Sequence, residues 1–321
     1  MILVTGANGL LGSQVCGSLV KNGEKVVALV RKSSNLELLD DIKEEIEIIY
    51  GNVLSPEEFS EDLENINCII HCAAVVSFHQ KDKAIMDKIN IQGTANMVNL
   101  ALKLNIDYFI HISSVAALGR LSGSGEVSEK NTWVESKLNS NYAQSKYYSE
   151  LEVWRGIEEG LNAVILNPSV ILSSQNIGRS SGQLFQYAKD ERSYYPAGSI
   201  NYVDIRDIIK VINQCLTSKI RGERYILNGG IITYKEFFER ISSRLNVKAP
   251  SKKASKGLLK LAMFLEFLKS ILTGKRALIT KETVLLSDSE IYFSNKKVKE
   301  ELNFNFASLN NTLDWACSSS K

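Results

Sequence analysis

Histidine, proline and long apolar runs are scarce in this chain, and neither sign of charge prevails. Three histidines among 321 residues leave too few imidazoles for a histidine-rich metal centre, and no metal site is expected. The five cysteines, Cys16, Cys68, Cys72, Cys215 and Cys317, are odd in number and lack paired metal-ligand spacing. Cys68 and Cys72 lie in an apolar run, so the thiols read as small buried hydrophobes in a reducing compartment, not as a disulfide framework. Lys and Arg total 38 against 36 Asp and Glu, an excess of two, too even for a nucleic-acid-binding surface. No stretch reaches the ~20 uninterrupted apolar residues that span a bilayer, so no stable membrane insertion is expected. The nearest, Leu258 to Leu272, carries Lys260, Glu266 and Lys269. It reads as a helix closing a pocket or packing on the main domain, with a membrane-surface helix as the alternative. Met1 opens directly into Ile2-Leu3-Val4, so no secretory leader is read and a cytoplasmic setting is expected.

What the chain does have is an ordinary globular balance, with 44% hydrophobic and 23% charged residues, and a regular rhythm in its first half. Strand-like runs occur at Ile2–Thr5, Lys25–Val30, Glu45–Tyr50, Cys68–Cys72, Asp107–Ile112 and Ala163–Leu166. Helical patterns fall between them at Leu10–Lys21, stopped by Asn22-Gly23, and at Ala84–Leu104 and Asn141–Glu159. Ser55-Pro56-Glu57-Glu58 has the form of a capping box with proline in the first turn. Apolar β-branched strands alternating with helices predict an α/β fold, a doubly wound parallel (Rossmann) sheet whose ligands bind beyond the carboxyl ends of its strands. After Pro168 the rhythm breaks. Tyr202–Asp207 and Arg224–Leu227 could still join the sheet, and Thr233-Tyr234-Lys235-Glu236 opens another capped helix. We therefore expect a dinucleotide-binding domain over roughly 1–167 and 201–229, and a smaller discontinuous substrate domain over roughly 168–200 and 230–321.

The segment Thr5-Gly6-Ala7-Asn8-Gly9-Leu10-Leu11-Gly12 leaves the first strand and opens the first helix. Glycines there permit a sharp turn and close approach of backbone amides to a pyrophosphate, and the helix N-terminus adds partial positive charge. At the end of the second strand, where an acid would hydrogen-bond a ribose 2′-hydroxyl, stands Arg31-Lys32-Ser33-Ser34. Arginine suits the 2′-phosphate of NADP, so NADP(H) is the preferred cofactor, with NAD(H) the alternative if Arg31 is merely a surface side chain.

Tyr142 and Lys146 stand one helical turn apart in Tyr142-Ala143-Gln144-Ser145-Lys146. A phenol with an ordinary pKa near ~10 is a poor acid–base at neutral pH, and a neighbouring ammonium is expected to lower it. Ser114, just past the fifth strand, is placed to hydrogen-bond an oxygen that gains charge as hydride arrives. His79 either lines the substrate pocket or is a solvated loop residue, and Gly119–Ser136 is either a cover over the site or a surface excursion.

Together these segments resemble the extended short-chain dehydrogenases/reductases, the NAD-dependent epimerase/dehydratase superfamily, over nearly the whole chain. Further matching pieces are His71-Cys72-Ala73-Ala74, Asn90-Ile91-Gln92-Gly93-Thr94, Ser113-Ser114, Asn167-Pro168-Ser169 and Tyr202-Val203-Asp204. The resemblance implies Ser114, Tyr142 and Lys146 as a catalytic triad, with Lys146 and Tyr142 also at the cofactor. It places Gly6, Asn8, Gly9, Leu10, Leu11 and Gly12 at the pyrophosphate and Asn52-Val53 by the adenine. Ala73 and Ala74 would line the cofactor, Asn90 would organise the site, and Pro168 to Val170 would pass beside the nicotinamide. It also allows a homodimer. Val30-Arg31 and Asn167-Pro168-Ser169-Val170-Ile171-Leu172 are similar to the dihydroflavonol-reductase-like branch, although Ser173-Ser174 replaces its usual Gly-Pro. The Asp-Glu pair of nucleotide-sugar dehydratases is replaced by Val115-Ala116, and the arginine common before Asn-Pro in sugar-nucleotide epimerases is missing. The expected activity is hydride-transfer reduction of a ketone or aldehyde of a small organic substrate. A nucleotide-sugar epimerase with bound NAD and a non-catalytic cofactor-sensing or scaffolding protein are the alternatives; Arg179, Arg192 and Arg206 could serve a pyrophosphate in the epimerase.

Overall fold

The computed structural model describes residues 1–63, 65–119, 125–136, 139–174, 181–255, 257 and 291–318. The Leu258–Leu272 segment and Arg179 lie outside the described residues. The strands are β1 (Ile2–Thr5), β2 (Val26–Val30), β3 (Glu47–Tyr50), β4 (Cys68–His71), β5 (Tyr108–Ile112), β6 (Gly125–Val127), β7 (Ala163–Pro168), β8 (Val170–Leu172), β9 (Tyr194–Tyr195), β10 (Ser199–Asp204), β11 (Glu223–Leu227), β12 (Gly230–Thr233), β13 (Lys252–Lys253) and β14 (Ile291–Phe293). The helices are α1 (Leu10–Lys21), α2 (Lys83–Met86), α3 (Gly93–Lys103), α4 (Asn141–Glu158), α5 (Gly182–Lys189), α6 (Ile205–Ser218), α7 (Tyr234–Leu245), α8 (Lys296–Glu301) and α9 (Leu309–Ser318).

Seven strands form one parallel sheet in the order β11-β7-β5-β4-β1-β2-β3. Every residue of β1, β2, β4 and β5 is buried, as a parallel sheet covered on both faces requires. Successive side chains alternate between the two covers. Val4, Ile70 and Val164 pack with Val15, Leu19, Val211 and Ile212 of α1 and α6, whereas Leu3, Ile69 and Ile165 pack with Met97, Val98 and Val153 of α3 and α4. The architecture is the predicted doubly wound α/β sheet. Among the described residues no helix is long and apolar enough to cross a membrane.

Three local readings differ from the structure. The strand expected over Tyr202–Asp207 does not join the main sheet, and it ends at Asp204 because α6 begins at Ile205. It lies in β10, paired in parallel with β8 and antiparallel to β12, where Tyr202 and Ile200 reach a separate apolar core with Phe185, Phe237 and Leu313. The single helix expected over Ala84–Leu104 is interrupted by a π-helical stretch, Asp87–Gln92, an insertion often found where a helix serves a site. Ser55 caps no helix with its side chain, and Pro56–Glu58 makes only a 3₁₀ turn. By contrast Arg224–Leu227 does enter the sheet, as edge strand β11 beside β7. Thr233 Oγ1 accepts from Glu236 N at 3.2 Å and caps α7 as expected.

Candidate active site

The strand order reverses direction beside β1, with β4 on one flank and β2 on the other, so a crevice opens beyond the carboxyl ends at that switch point. Thr5 ends β1, Val30 ends β2, His71 ends β4, Ile112 ends β5 and Pro168 ends β7. The sheet thus delivers the glycine turn, Arg31, Ala73-Ala74, Ser113-Ser114 and Pro168–Val170 to one edge. Gly6 takes φ +64°, and a Cβ there would approach Ala73 Cα and N to 2.8 Å, so only glycine lets the turn lie on the backbone that follows β4. At Gly12 a Cβ would come within 2.3 Å of Gly6 O, which ties helix α1 closely to the turn. Gly9 is the N-cap of α1 and offers no side-chain cap, leaving the amides of Leu10, Leu11 and Gly12 to an outside acceptor. This cradle fits the pyrophosphate of a dinucleotide.

Around it, Asn8 Nδ2 donates to Asn35 O at 3.3 Å, joining the turn to the loop after β2. That loop begins at the exposed Arg31 and is closed by Ser34 N donating to Arg31 O at 2.9 Å. Asn52 follows β3, and its Oδ1 accepts from Leu54 N at 3.1 Å, so the side-chain oxygen is engaged in its own turn. Val53 is buried against Gly93. Ala73 is half-buried and Ala74 exposed, while Pro168 is buried and Val170 is exposed.

The π-helical stretch places Asn90 between two segments. Its Oδ1 accepts from Val75 N at 2.7 Å, and its Nδ2 donates to Val75 O and to Ser145 Oγ, both at 2.9 Å. Ser145 Oγ in turn donates to Tyr142 O at 2.8 Å. Asn90 therefore clamps the loop after β4 to the first turn of α4. That turn is started by Ser140, whose Oγ accepts from Ala143 N at 3.0 Å. Phe78, in the same loop, meets the Tyr142 ring edge-on with centroids 6.0 Å apart, and Asn141 Nδ2 donates to Gln80 Oε1 at 2.9 Å.

Ser114, Tyr142 and Lys146 converge. Ser114 Oγ accepts from Ala116 N at 3.2 Å and lies near enough to the Tyr142 phenol to influence its ionisation. Lys146 is 2% exposed and its Nζ donates to Ile112 O at 2.9 Å. Burial raises the Tyr142 pKa, opposed by the Ser114 hydroxyl. This corrects the expectation that the lysine would bring the phenol down: loss of hydration sets the direction, and the ammonium is engaged by the Ile112 carbonyl. Burial pushes Lys146 itself down to about 8, with Glu150 opposing.

A family model described as the NAD dependent epimerase/dehydratase family matches residues 2–227. The chain belongs to this family. A Synechocystis sp. protein named provisionally as a dihydroflavonol 4-reductase is 27% identical to it over 318 residues, 97% of this chain and 91% of that one. Cinnamoyl-CoA reductase 1 of Petunia hybrida is 23% identical over 223 residues, 65% of this chain and 66% of that one. The crystal structure of gox2253 matches with a TM-score of 0.83 at 28% identity, covering 99% of this chain and 97% of the other. UDP-glucose 4-epimerase from Thermotoga maritima, solved with UDP-glucose, shares the fold with a TM-score of 0.80 at 19% identity, over 99% and 98% of the two chains.

Several side chains at the edge of this family sheet carry no signal in the Tyr-x-x-x-Lys and glycine motifs. His71 bridges Thr5 Oγ1 (2.8 Å from Nδ1) and Thr94 Oγ1 (3.1 Å from Nε2). Because Thr94 Oγ1 already donates to Asn90 O at 2.6 Å, it accepts from Nε2–H, which leaves Nδ1 to accept from Thr5. Thr5 Oγ1 also accepts from Ala73 N at 3.2 Å, so a neutral imidazole links the glycine turn to α3. The His111 ring stacks on His71 with centroids 5.5 Å apart. Burial, then the Lys146 charge, pushes His71 down to about 3 and His111 well below the ordinary value.

Both imidazoles therefore stay neutral when folded, whereas the unfolded chain binds protons as pH falls through ~6.5. Their contribution to stability is complete above that pH and is lost as pH falls from 6.5 toward 3. Urea unfolding should show stability declining between pH 6.5 and 5 by up to about 1.4 kcal/mol per unit for each histidine. A His71→Gln/His111→Gln variant should have a flatter profile in that window. A wild-type profile that is flat from pH 7 to 5 would contradict this linkage.

Proposed function

We propose that this protein is a carbonyl reductase that prefers NADP(H) and acts on an apolar or aromatic ketone or aldehyde of a small organic substrate. The observation that carries the reading is the convergence at the sheet edge of Ser114, just past β5, on the Tyr142 phenol, with Lys146 one turn further along α4 and its Nζ donating to Ile112 O at 2.9 Å. A nicotinamide cofactor, when bound, supplies the hydride. Gly6, Asn8, Gly9, Leu10, Leu11 and Gly12 would hold its pyrophosphate, Arg31 its 2′-phosphate, Asn52 and Val53 its adenine end, and Ala73, Ala74, Asn90, Pro168 and Val170 the remainder, with Lys146 on the ribose. The Ser114 hydroxyl lowers the phenol pKa, as a serine donating to the phenol oxygen does. Tyr142 then keeps its own O–H for the substrate. As negative charge develops on the carbonyl oxygen, Tyr142 Oη releases its proton to it, and the Ser114 hydroxyl turns its one O–H from the phenol to that oxygen and steadies it. The raised phenol pKa keeps Tyr142 protonated, which suits the reducing direction.

The substrate class rests on the wall beside the phenol. Phe78 packs edge-on to Tyr142, Val76 is 52% exposed, and Val115-Ala116 stand where a dehydratase would need its acid–base pair. Two arginines that could have offset a pyrophosphate are otherwise occupied. Arg206 pairs with Asp204 at 2.6 Å and lies 4.3 Å over the Trp315 ring, and Arg192 pairs with Asp190 at 3.2 Å.

Thermal stabilisation and NADPH consumption should be measured with panels of aromatic and alicyclic ketones and of nucleotide sugars, cofactor present. A ketone at about 100 times its Kd should stabilise the fold by about 2.7 kcal/mol and oxidise NADPH one-for-one. Stabilisation by nucleotide sugars alone, with no net change in cofactor redox state, would replace this reading with an epimerase. Calorimetry should give tighter binding of NADPH than of NADH, and Arg31→Asp should weaken NADPH by about tenfold or more through loss of a charge-assisted contact. A preference that survives Arg31→Asp unchanged would make Arg31 a bystander.

A further inference from the structure

Behind the Tyr142–Lys146 pair lies a buried charge that the reduction itself does not use. Glu150 follows Lys146 by one turn of α4 and is 1% exposed. A carboxylate so placed is costly unless every oxygen is engaged. Its Oε1 accepts from Ser113 Oγ and from Asn167 Nδ2, the latter at 2.5 Å. Its Oε2 accepts from Arg224 Nη1 at 3.2 Å. Those partners come from the ends of β5 and β7 and from β11, so one carboxylate ties three strands of the sheet to the helix that carries Tyr142 and Lys146.

Two of these contacts lead back to the site. Asn167 Nδ2 also donates to Ser114 O at 2.8 Å, so Glu150 fixes the side chain that fixes the Ser114 backbone. Ser113, bound directly to Glu150, is the residue before it. Arg224 reaches further, donating through Nη2 to Glu129 O and to Asn131 O, while Glu129 Oε1 accepts from Ile226 N at 2.8 Å. The chain segment leading to Trp133, which stacks on Tyr147 of α4 at 4.4 Å, is held by the same ion pair.

We propose that Glu150 is a positioning residue of the active site: held by Arg224, its carboxylate fixes Ser113, Asn167 and through them Ser114, and supplies the counter-charge for the buried Lys146 ammonium. This rests on the reading of Lys146 as the cofactor and phenol partner. The groups around Lys146 are Tyr142 and Glu150 on α4, His71 and Cys72 at the end of β4, and His111 on β5, with Arg224 of β11 beyond Glu150. Both imidazoles are neutral, and burial is what opposes the ammonium. Glu150 is the foremost influence acting the other way. Its removal should let Lys146 lose its proton at lower pH, and the sign is opposite to that of a lysine merely becoming more solvated.

The test is a titration of the full chain labelled with [ε-¹³C]lysine, followed by NMR, with the Lys146 resonance assigned by its loss in Lys146→Met. Wild type should titrate at about 8. In Glu150→Gln the midpoint should fall by about one unit or more, the size expected for losing a close opposite charge. Because Glu150→Gln leaves Arg224 without its counter-ion, Glu150→Gln/Arg224→Met is the companion: it removes the pair together, and Lys146 should again titrate below wild type. Arg224→Met alone should not lower it. An unchanged or raised Lys146 midpoint in either folded Glu150 variant would overturn the proposal, and so would loss of folding in both, which would make Glu150 a purely structural group. No substrate or cofactor is present in the titration. A failed ketone panel therefore leaves this result readable, and a failed titration leaves the reductase reading standing.

Discussion

A lysine ammonium under the edge of a parallel sheet has to be solvated by the protein, and much of the site is arranged around that requirement. Lys146 is 2% exposed; in so dry a place an isolated charge would give up its proton rather than persist. The Ile112 carbonyl at 2.9 Å supplies the direct contact. It is free to do so because β5 ends there, where the ladder no longer uses every backbone oxygen. Glu150 opposes the loss of the proton, and the result is a group pushed only to about 8. At neutral pH such a lysine remains largely charged.

That charge shapes its neighbours. His71 and His111 are pushed toward neutrality first by burial and then by Lys146, and neutrality lets His71 act as a fixed donor and acceptor between Thr94 and Thr5. Thr5 in turn receives the Ala73 amide, so the electrostatics of α4 reach the backbone on which Gly6 lies. The acid–base side of the proposed site and its cofactor side are thus two ends of one hydrogen-bonded layer at the top of the sheet. Asn90 closes the layer from the other direction, linking Val75 to Ser145.

The doubly wound fold was legible in the sequence because parallel strands buried on both faces leave continuous apolar runs, and because the glycine turn follows the first of them. Local geometry was also legible: the close backbone approach at Gly6 and Gly12, and the placement of Tyr142 and Lys146 one turn apart on α4. Features set by tertiary context were not. Tyr202–Asp204 has a strand pattern, but nothing local says that it pairs with Val170–Leu172. The π-helical stretch at Asp87–Gln92 leaves the apolar period nearly intact. Glu150 stands at a helical spacing from Lys146 that exposed ion pairs also use, and Arg224, its partner, is 74 residues away. The Tyr142 pKa moves opposite to the expected direction because spacing reveals a neighbouring charge but not the burial that sets the shift.

The proposed reduction depends most directly on the Tyr142 hydroxyl as the source of the proton. The most direct measurement is a comparison of wild type with Tyr142→Phe, reading NADPH affinity by calorimetry and turnover of an accepted ketone under the same conditions. Removing one hydroxyl beside an intact glycine turn and Lys146 should leave NADPH affinity within a few-fold, while turnover falls by about 100- to 10,000-fold, the usual worth of a positioned general acid. Turnover within a few-fold of wild type would contradict that role for Tyr142.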